Sequence, residues 1–247
     1  MTSKEIFNRT ELLLGADTMD VLGQKRVILF GVGGVGSWCA EGLVRSGIRH
    51  LTLVDPDEVS VTNVNRQLMA TTKTIGRPKV EAMAERLLEI NPEAVIESLR
   101  AVYCEETAGS FDLDSFDYVI DAVDSLKDKI QLILNASASK ARFFCSMGAA
   151  LKADPRKVRV AEFWDVRGCP LGAIIRKKMR RAHTLPAKKF LCVYDDEVLP
   201  NRGVEATVET DTFNKAQING TTAPVTAIFG MTLAGLVVDD VYKGVVK

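Results

Sequence analysis

A run of glycines, Gly31-Val32-Gly33-Gly34-Val35-Gly36, follows a short apolar stretch, and a carboxylate, Asp55, stands about twenty residues beyond it. A glycine-rich turn between a strand and a helix lets main-chain N–H groups approach phosphate oxygens, and an acid closing the next strand can hold a ribose hydroxyl. Gly31, Gly33 and Gly34 are therefore candidate nucleotide-lining positions and Asp55 a candidate ribose ligand. Alone, the pattern is shared by nicotinamide, flavin and ATP users, and Asp55 alone could simply begin a turn before Pro56.

The polar segment after that acid separates the possibilities: Asp57-Glu58-Val59-Ser60-Val61-Thr62-Asn63-Val64-Asn65-Arg66-Gln67, then Gly76-Arg77-Pro78-Lys79. A redox enzyme needs an apolar slot for its nicotinamide, whereas phosphoryl or adenylyl transfer needs fixed cations around a triphosphate. Arg66 and Lys79 can supply them. Read structurally they are solvated charges, but Lys79 at a helix start opposes the macrodipole, which disfavours a purely structural role. A third element is Asp121-Ala122-Val123-Asp124-Ser125 at the carboxyl end of a strand. Asp124 can hold Mg²⁺ between phosphate oxygens, or Asp124 or Ser125 can cap the following helix; the two roles are compatible.

The elements that must position these groups follow from periodicity. Lys25 to Phe30 and Leu51 to Val54 read as buried parallel strands, with a helix over Val35 to Ser46 between them. From Lys79, apolar Val80, Met83, Ala84, Leu87 and Leu88 form a helical stripe ending near Asn91-Pro92. Strands are expected at Ala94–Leu99, Tyr118–Ile120 and Arg142–Cys145, with a helix from about Leu126 to Ser139. The alternation predicts an α/β fold: a Rossmann-like, doubly wound, mainly parallel sheet. Beyond Gly148, Val158 to Trp164 alternates like a strand with one wet face and Leu171 to Arg181 reads as helix, an appended mixed half-layer. The segment from about Pro200 to Gly220 reads as a loop.

Composition bounds the rest. At 247 residues and 47% apolar content one globular unit is the default, and zero net charge removes any global field that would gather polyanions. Five cysteines, odd in number and without C-x-x-C pairs, read as reduced thiols in a cytoplasmic protein. The apolar stretch Ala223 to Val238 would rise about 24 Å as a helix, short of a ~30 Å hydrocarbon core. No stable membrane span is expected; it reads as a helix buried in the core or at a dimer seam.

In order and spacing, Gly31–Gly36, Asp55-x-Asp57, Asn63-x-x-Arg66-Gln67, Lys79 and Asp121-x-x-Asp124 resemble the ATP site of the ubiquitin-activating-enzyme-like superfamily, over roughly Asn8 to Gly148. The resemblance implies a ThiF-type adenylation domain spanning 1–247, with its nucleotide core at about 20–150 and a substrate-facing portion at about 151–247. It implies ATP and Mg²⁺, a carboxylate that attacks the α-phosphorus, release of pyrophosphate, and an acyl-adenylate. By the same resemblance Asp55 and Asp57 belong to the nucleotide site, Gly33 and Gly34 line it, Asn63, Arg66 and Lys79 contact the phosphates, and Asp124 takes the metal. Arg9 resembles an arginine that reaches the neighbouring subunit's ATP, implying a homodimer.

The later segment is similar to the tRNA threonylcarbamoyladenosine dehydratases: Asp154-Pro155-x-x-Val158-x-Val160, then Pro170-Leu171, then Cys192-Val193-Tyr194-x-x-Glu197. That family cyclises a threonylcarbamoyl group on tRNA with ATP. A tRNA partner predicts a basic patch, and Arg176, Lys177, Lys178, Arg180 and Arg181, continuing to Lys188 and Lys189, supply one, although such a run alone is usually a solvated helix face. An adenylyltransferase acting on the C-terminal glycine of a ubiquitin-like sulfur carrier is the alternative, and a sulfur-transfer protein a possible partner; Cys169 or Cys192 would then work as thiols, whereas an isolated cysteine is usually an inert hydrophobe. Arg66, Lys79 and Asp124 together argue against a dinucleotide oxidoreductase or a nucleotide-responsive module without catalysis.

Overall fold

The computed structural model describes residues 3–203 and 219–246. Three helices, α1 (Ser3–Ile6), α2 (Asn8–Leu14) and α3 (Ala16–Gln24), lead into β1 (Arg26–Phe30). There follow α4 (Gly36–Arg45), β2 (His50–Val54), α5 (Lys79–Ile90), β3 (Val95–Leu99), β4 (Tyr118–Asp121), α6 (Leu126–Ala138), β5 (Arg142–Ser146), β6 (Arg159–Glu162), α7 (Pro170–Ala182), β7 (Leu191–Tyr194) and α8 (Ala223–Val245). The expected loop at about 200–220 lies mostly outside the described residues.

The strands form one sheet in the order β3-β2-β1-β4-β5-β7-β6, parallel throughout except for the β6–β7 pair. Successive strand residues face opposite ways, so Val27 and Leu29 of β1 join one core while Ile28 and Phe30 join the other. Helices α4 and α8 cover the first face; α6 and α7 cover the second. Covering both faces is what makes continuous apolar strands such as Arg26–Phe30 stable. The chain passes from β1 to β2 on one side and to β4 on the other, so the carboxyl ends of β1 and β4 flank the crevice where open α/β sheets bind ligands.

The portion after Gly148 is the expected mixed addition: β7 pairs in parallel with β5, and β6 closes the same sheet antiparallel to β7. Two features differ from the sequence reading. Residues Leu191–Tyr194, legible only as part of a motif, are a buried strand too short to show a period. The C-terminal helix runs to Val245, 23 residues, and is long and apolar enough to cross a membrane. The length argument therefore fails, and burial decides instead. Val225, Phe229, Leu233, Val237 and Val241 form a buried stripe at every fourth position. Close approach to α4 depends on two glycines: a Cβ on Gly230 would lie 2.4 Å from the Val35 carbonyl oxygen, and one on Gly42 would lie 2.8 Å from Ala234 Cβ. The far end of α8 is tied down by Asp240, which accepts hydrogen bonds from the Tyr118 hydroxyl at 3.0 Å and from Arg142.

Candidate active site

The glycines divide the labour of the turn. Gly31 has φ +86°, and a Cβ there would lie 2.6 Å from the Ala122 carbonyl oxygen, so this residue turns the chain against the end of β4. A Cβ on Gly36 would lie 1.8 Å from the Gly31 carbonyl oxygen, which makes it the position where α4 closes on the turn. At Gly33 the space is open, its nearest neighbour Gln67 Nε2 at 3.9 Å, whereas Gly34 rests against Thr226 and the stem of Arg66. Gly33 is thus the bare floor of the crevice.

Asp55 closes β2 and is buried beneath that floor. Its Oδ2 accepts the Val32 N–H at 2.7 Å and its Oδ1 accepts the Asp57 N–H at 2.9 Å. Lys79, the first residue of α5, places Nζ 2.6 Å from Asp57 Oδ2 and 3.7 Å from Asp55 Oδ1. Burial pushes the Asp55 pKa up, against the lowering pull of Lys79 and the two N–H donors. Two carboxylates answer the unfavourable position of a buried lysine at a helix N-terminus, and its ammonium is fixed at the crevice.

Residues 60–67 form the third wall. Asn63 Oδ1 accepts the Ser60 N–H at 3.0 Å in a reciprocal cap, fixing the turn that carries Arg66. The Arg66 guanidinium donates to Thr62 O at 2.7 Å and Asn65 Oδ1 at 3.0 Å, while the Trp38 indole N–H donates to Arg66 O at 3.1 Å. Beside it the sequence reading missed Gln67 as a site residue. Its side chain is buried next to Gly33, and its Oε1 has no donor among the described residues. The amide thus turns its Nε2 toward the bare Gly33 position at 3.9 Å and keeps one acceptor open in a buried place, a combination that fits a ligand with hydroxyl or amino groups of its own.

The fourth wall is the turn after β4. Asp121 is wholly buried, accepts the Val123 N–H at 2.9 Å, and pairs with Lys129 at 2.9 Å. Asp124, three residues on, is exposed and makes no hydrogen bond or ion pair among the described residues. Ser125 occupies the cap position of α6 without a side-chain cap bond, and Asp124 makes none either, so neither shows the capping role. One unpaired carboxylate on the turn after β4 has the chemistry of a Mg²⁺ ligand, since that ion takes one or two carboxylates with phosphate oxygens and water.

The structure thus gathers Gly31, Gly33, Gly34, Asp55, Asp57, Asn63, Arg66, Lys79 and Asp124 at one sheet edge. Arg9 is not among them: it is exposed on α2, beside Leu12 and Leu13, which are 80% and 78% exposed. The basic helix α7 starts at the same edge, with Leu171 against Gly148, but Arg180 and Arg181 lie about 15 Å further along it, toward the opposite edge. Arg176 is partly withdrawn from the basic face. Its guanidinium donates to Phe163 O at 3.0 Å, and burial lowers its pKa. Lys177, Lys178, Arg180 and Arg181 are exposed. Cys169 and Cys192, the candidates for thiol chemistry, are both buried.

The fold and this edge define a doubly wound α/β protein of the nucleotide-binding type, with the Lys79 ammonium fixed by Asp55 and Asp57 near the glycine turn. A model of the ThiF family matches residues 7–243, and the chain belongs to that family. It is 36% identical to the tRNA threonylcarbamoyladenosine dehydratase of Bacillus subtilis (strain 168), over 97% of this chain and 95% of the relative. The corresponding protein of Haemophilus influenzae is 35% identical over 92% of this chain and 89% of its own length. The crystal structure of the Escherichia coli tRNA N6-threonylcarbamoyladenosine dehydratase in complex with ATP matches with a TM-score of 0.86 and 28% identity, covering 98% of this chain and 96% of that one.

Proposed function

We propose that this chain is an ATP-dependent tRNA threonylcarbamoyladenosine dehydratase that cyclises the modification through an adenylated carboxylate. The observation that carries the reading is the pairing of an ATP-type crevice with end-to-end similarity to dehydratases, 97% of this chain against 95% of the Bacillus relative. A sulfur-carrier adenylyltransferase would share the crevice, but its two candidate thiols, Cys169 and Cys192, are buried, and the sequence has no C-x-x-C pairs for zinc.

In this mechanism Gly33 leaves room for the nucleotide, Asp55 and Gln67 accept its hydroxyl or amino donors, and Asn63, Arg66 and Lys79 hold the phosphates. The threonyl carboxylate oxygen attacks the α-phosphorus, the bond to the β-phosphate bridge breaks, and pyrophosphate leaves. Arg66 and Lys79 stabilise the charge that develops, which is the largest contribution fixed groups can make in a dry site. An internal nucleophile of the modification then attacks the activated carbonyl and expels AMP. That step needs orientation more than a protein nucleophile, because the attack is intramolecular. Asp124 would hold Mg²⁺, which neutralises phosphate charge when bound.

The site is completed in a homodimer in this reading. Arg9 shares α2 with the exposed Leu12 and Leu13, and an apolar groove of about 320 Å³ runs beside it, lined by Leu14, Gly42, Met231 and Ala234. A cytoplasmic location follows from the tRNA substrate. Incubating tRNA bearing threonylcarbamoyladenosine with the protein and ATP, then analysing nucleosides by mass spectrometry, tests the activity. The expected product is lighter by one water, with AMP and pyrophosphate released; label transferred to a protein carrier instead would overturn the reading.

A further inference from the structure

At the amino edge of the sheet, opposite the glycine turn, a cleft of about 270 Å³ opens among β5, β6 and β7. Its floor is aromatic: the Phe143 and Phe190 ring centroids are 4.7 Å apart, and Phe190 stacks on Phe163 at 5.0 Å. In its wall stands Glu162. One carboxylate oxygen, Oε2, accepts the Trp164 N–H at 2.9 Å, while Oε1 is shielded from water and has no donor among the described residues. Lys188 and Lys189 line the mouth. Lys188 donates to the carbonyls of Ser139 and Ala141, whereas Lys189 is exposed with no partner among the described residues. Beside the cleft, the Arg180 guanidinium lies 5.1 Å from the Trp164 ring centroid, continuing the cationic face of α7 toward this edge.

These features select a ligand. A free anion fits the lysines but meets the Glu162 carboxylate; an ammonium group fits Glu162 but meets two lysines; an apolar side chain leaves Glu162 Oε1 without a donor. A nucleotide satisfies all three, with a flat ring for the aromatic floor, an exocyclic amino group for a carboxylate, and a phosphate for the mouth. The volume admits one ring system, below the range of drug-sized sites. We propose that this cleft receives one unstacked base of the RNA substrate, its amino group donating to Glu162 Oε1 and its phosphate held by Lys189. This rests on the tRNA reading above and adds to it a non-catalytic anchor, a sheet's length away from the adenylation edge. Cytosine, adenine and guanine carry an exocyclic amino group, and uracil does not.

The test measures binding of fluorescent eight-nucleotide RNAs, C8 and U8, to the full chain with saturating ATP present, so that the nucleotide edge is already filled. C8 is expected to bind about tenfold more tightly than U8. Glu162→Gln, which keeps an acceptor for the Trp164 N–H, should reduce that preference to less than about twofold, and Lys189→Ala should weaken both RNAs equally. Equal affinities in the wild type, or a preference that survives Glu162→Gln, overturn the proposal. Cyclisation of modified tRNA by the wild-type protein, followed by mass spectrometry in the same preparation, keeps the two readings apart. Product formed without base preference removes the cleft alone, whereas base preference without product removes the dehydratase reading and leaves an RNA-binding cleft.

Discussion

Lys129 Nζ lies 2.9 Å from Asp121 Oδ2 and also donates to the Val123 carbonyl at 2.9 Å, with both charged side chains wholly buried. The same Asp121 accepts the Val123 N–H through its other oxygen. One ion pair therefore fixes both faces of the peptide turn that carries Asp124 into the crevice. Asp121, grouped with Asp124 in a single motif, belongs to the scaffold, while Asp124 is exposed on the turn it holds.

Removing the lysine should leave a buried carboxylate with only the Cys145 thiol and one N–H for company. Lys129→Met is expected to destabilise the fold by about 3–5 kcal/mol, because the remaining charge has no compensation. Adding Asp121→Asn to that variant should recover part of the loss. Urea unfolding of the two variants checks this, and equal stability of Lys129→Met and wild type would show that the pair does not hold the turn.

Two glycines of the same turn give opposite expectations. Gly36→Ala puts a methyl group where the Gly31 carbonyl oxygen already stands, at 1.8 Å, and should destabilise by more than about 4 kcal/mol or abolish folding. Gly33→Ala meets only Gln67 Nε2 at 3.9 Å and should change stability by less than about 0.5 kcal/mol. Its methyl group nevertheless occupies the floor, so ATP affinity should fall at least about tenfold, roughly 1.4 kcal/mol. Thermal unfolding and ATP titration calorimetry on both variants separate the roles.

What was legible in the sequence was what repeats or clusters. The β1-α4-β2 unit and the stripe of Val80, Met83 and Leu87 follow from period and glycine placement, and the polar site residues cluster at the ends of those elements. Gln67 stood in the motif Asn63-x-x-Arg66-Gln67 but was given no role there, because its type alone does not say whether it caps, packs or binds; its burial with an open acceptor among the described residues marks it. Lys129 escaped because on α6 it reads as a surface lysine, and its partner is eight residues away around a turn. The short α1, α2 and α3 and the four-residue β7 carry too few residues for a period to emerge, and their positions depend on tertiary contacts.

The loop between β5 and β6, anchored by Glu197, should be acid-sensitive. Lys157 and the N–H groups of Ala153 and Asp154 hold the Glu197 carboxyl down at about 2, below its ordinary value of 4.5. Between those values the unfolded chain binds the proton more readily than the folded one, so stability is fully present above pH 4.5 and is lost as pH falls toward 2. Glu197→Gln should flatten the stability profile across that window and leave its slope near neutrality unchanged. Chemical unfolding at a series of pH values from about 5 to 2 measures this; identical slopes for the two proteins would remove Glu197 from the acid response.

Arg66 and Lys79 should separate chemistry from folding. Arg66→Ala loses hydrogen bonds to Thr62 O and Asn65 Oδ1 at a half-exposed position, so its main effect should be on adenylation, slowed by about 10²–10³. Lys79→Met should slow adenylation comparably and also cost stability, because it leaves the buried Asp55 facing Asp57 without a cation. Pyrophosphate-release kinetics and unfolding midpoints for both variants check the pair. Wild-type turnover in either would remove that residue from phosphate binding.

The basic face of α7 predicts a response that a merely solvated helix would not give. Each lysine or arginine seated on a phosphate releases counterions, so the logarithm of affinity falls with the logarithm of salt in proportion to the phosphates neutralised. Arg180 and Arg181 lie on the exposed side of α7, away from the crevice, so replacing both with glutamine should leave ATP affinity at its wild-type value. Affinity for tRNA should drop, and the salt slope should flatten by about 2, one for each phosphate that no longer meets a cation. Lys177→Gln and Lys178→Gln, one turn nearer the crevice, should flatten it further, while Arg176→Gln should act mainly on stability, since its guanidinium is already engaged with Phe163 O. Fluorescence titrations of tRNA at several salt concentrations read these slopes directly; an unchanged slope in the Arg180 and Arg181 double variant would place the RNA on another surface.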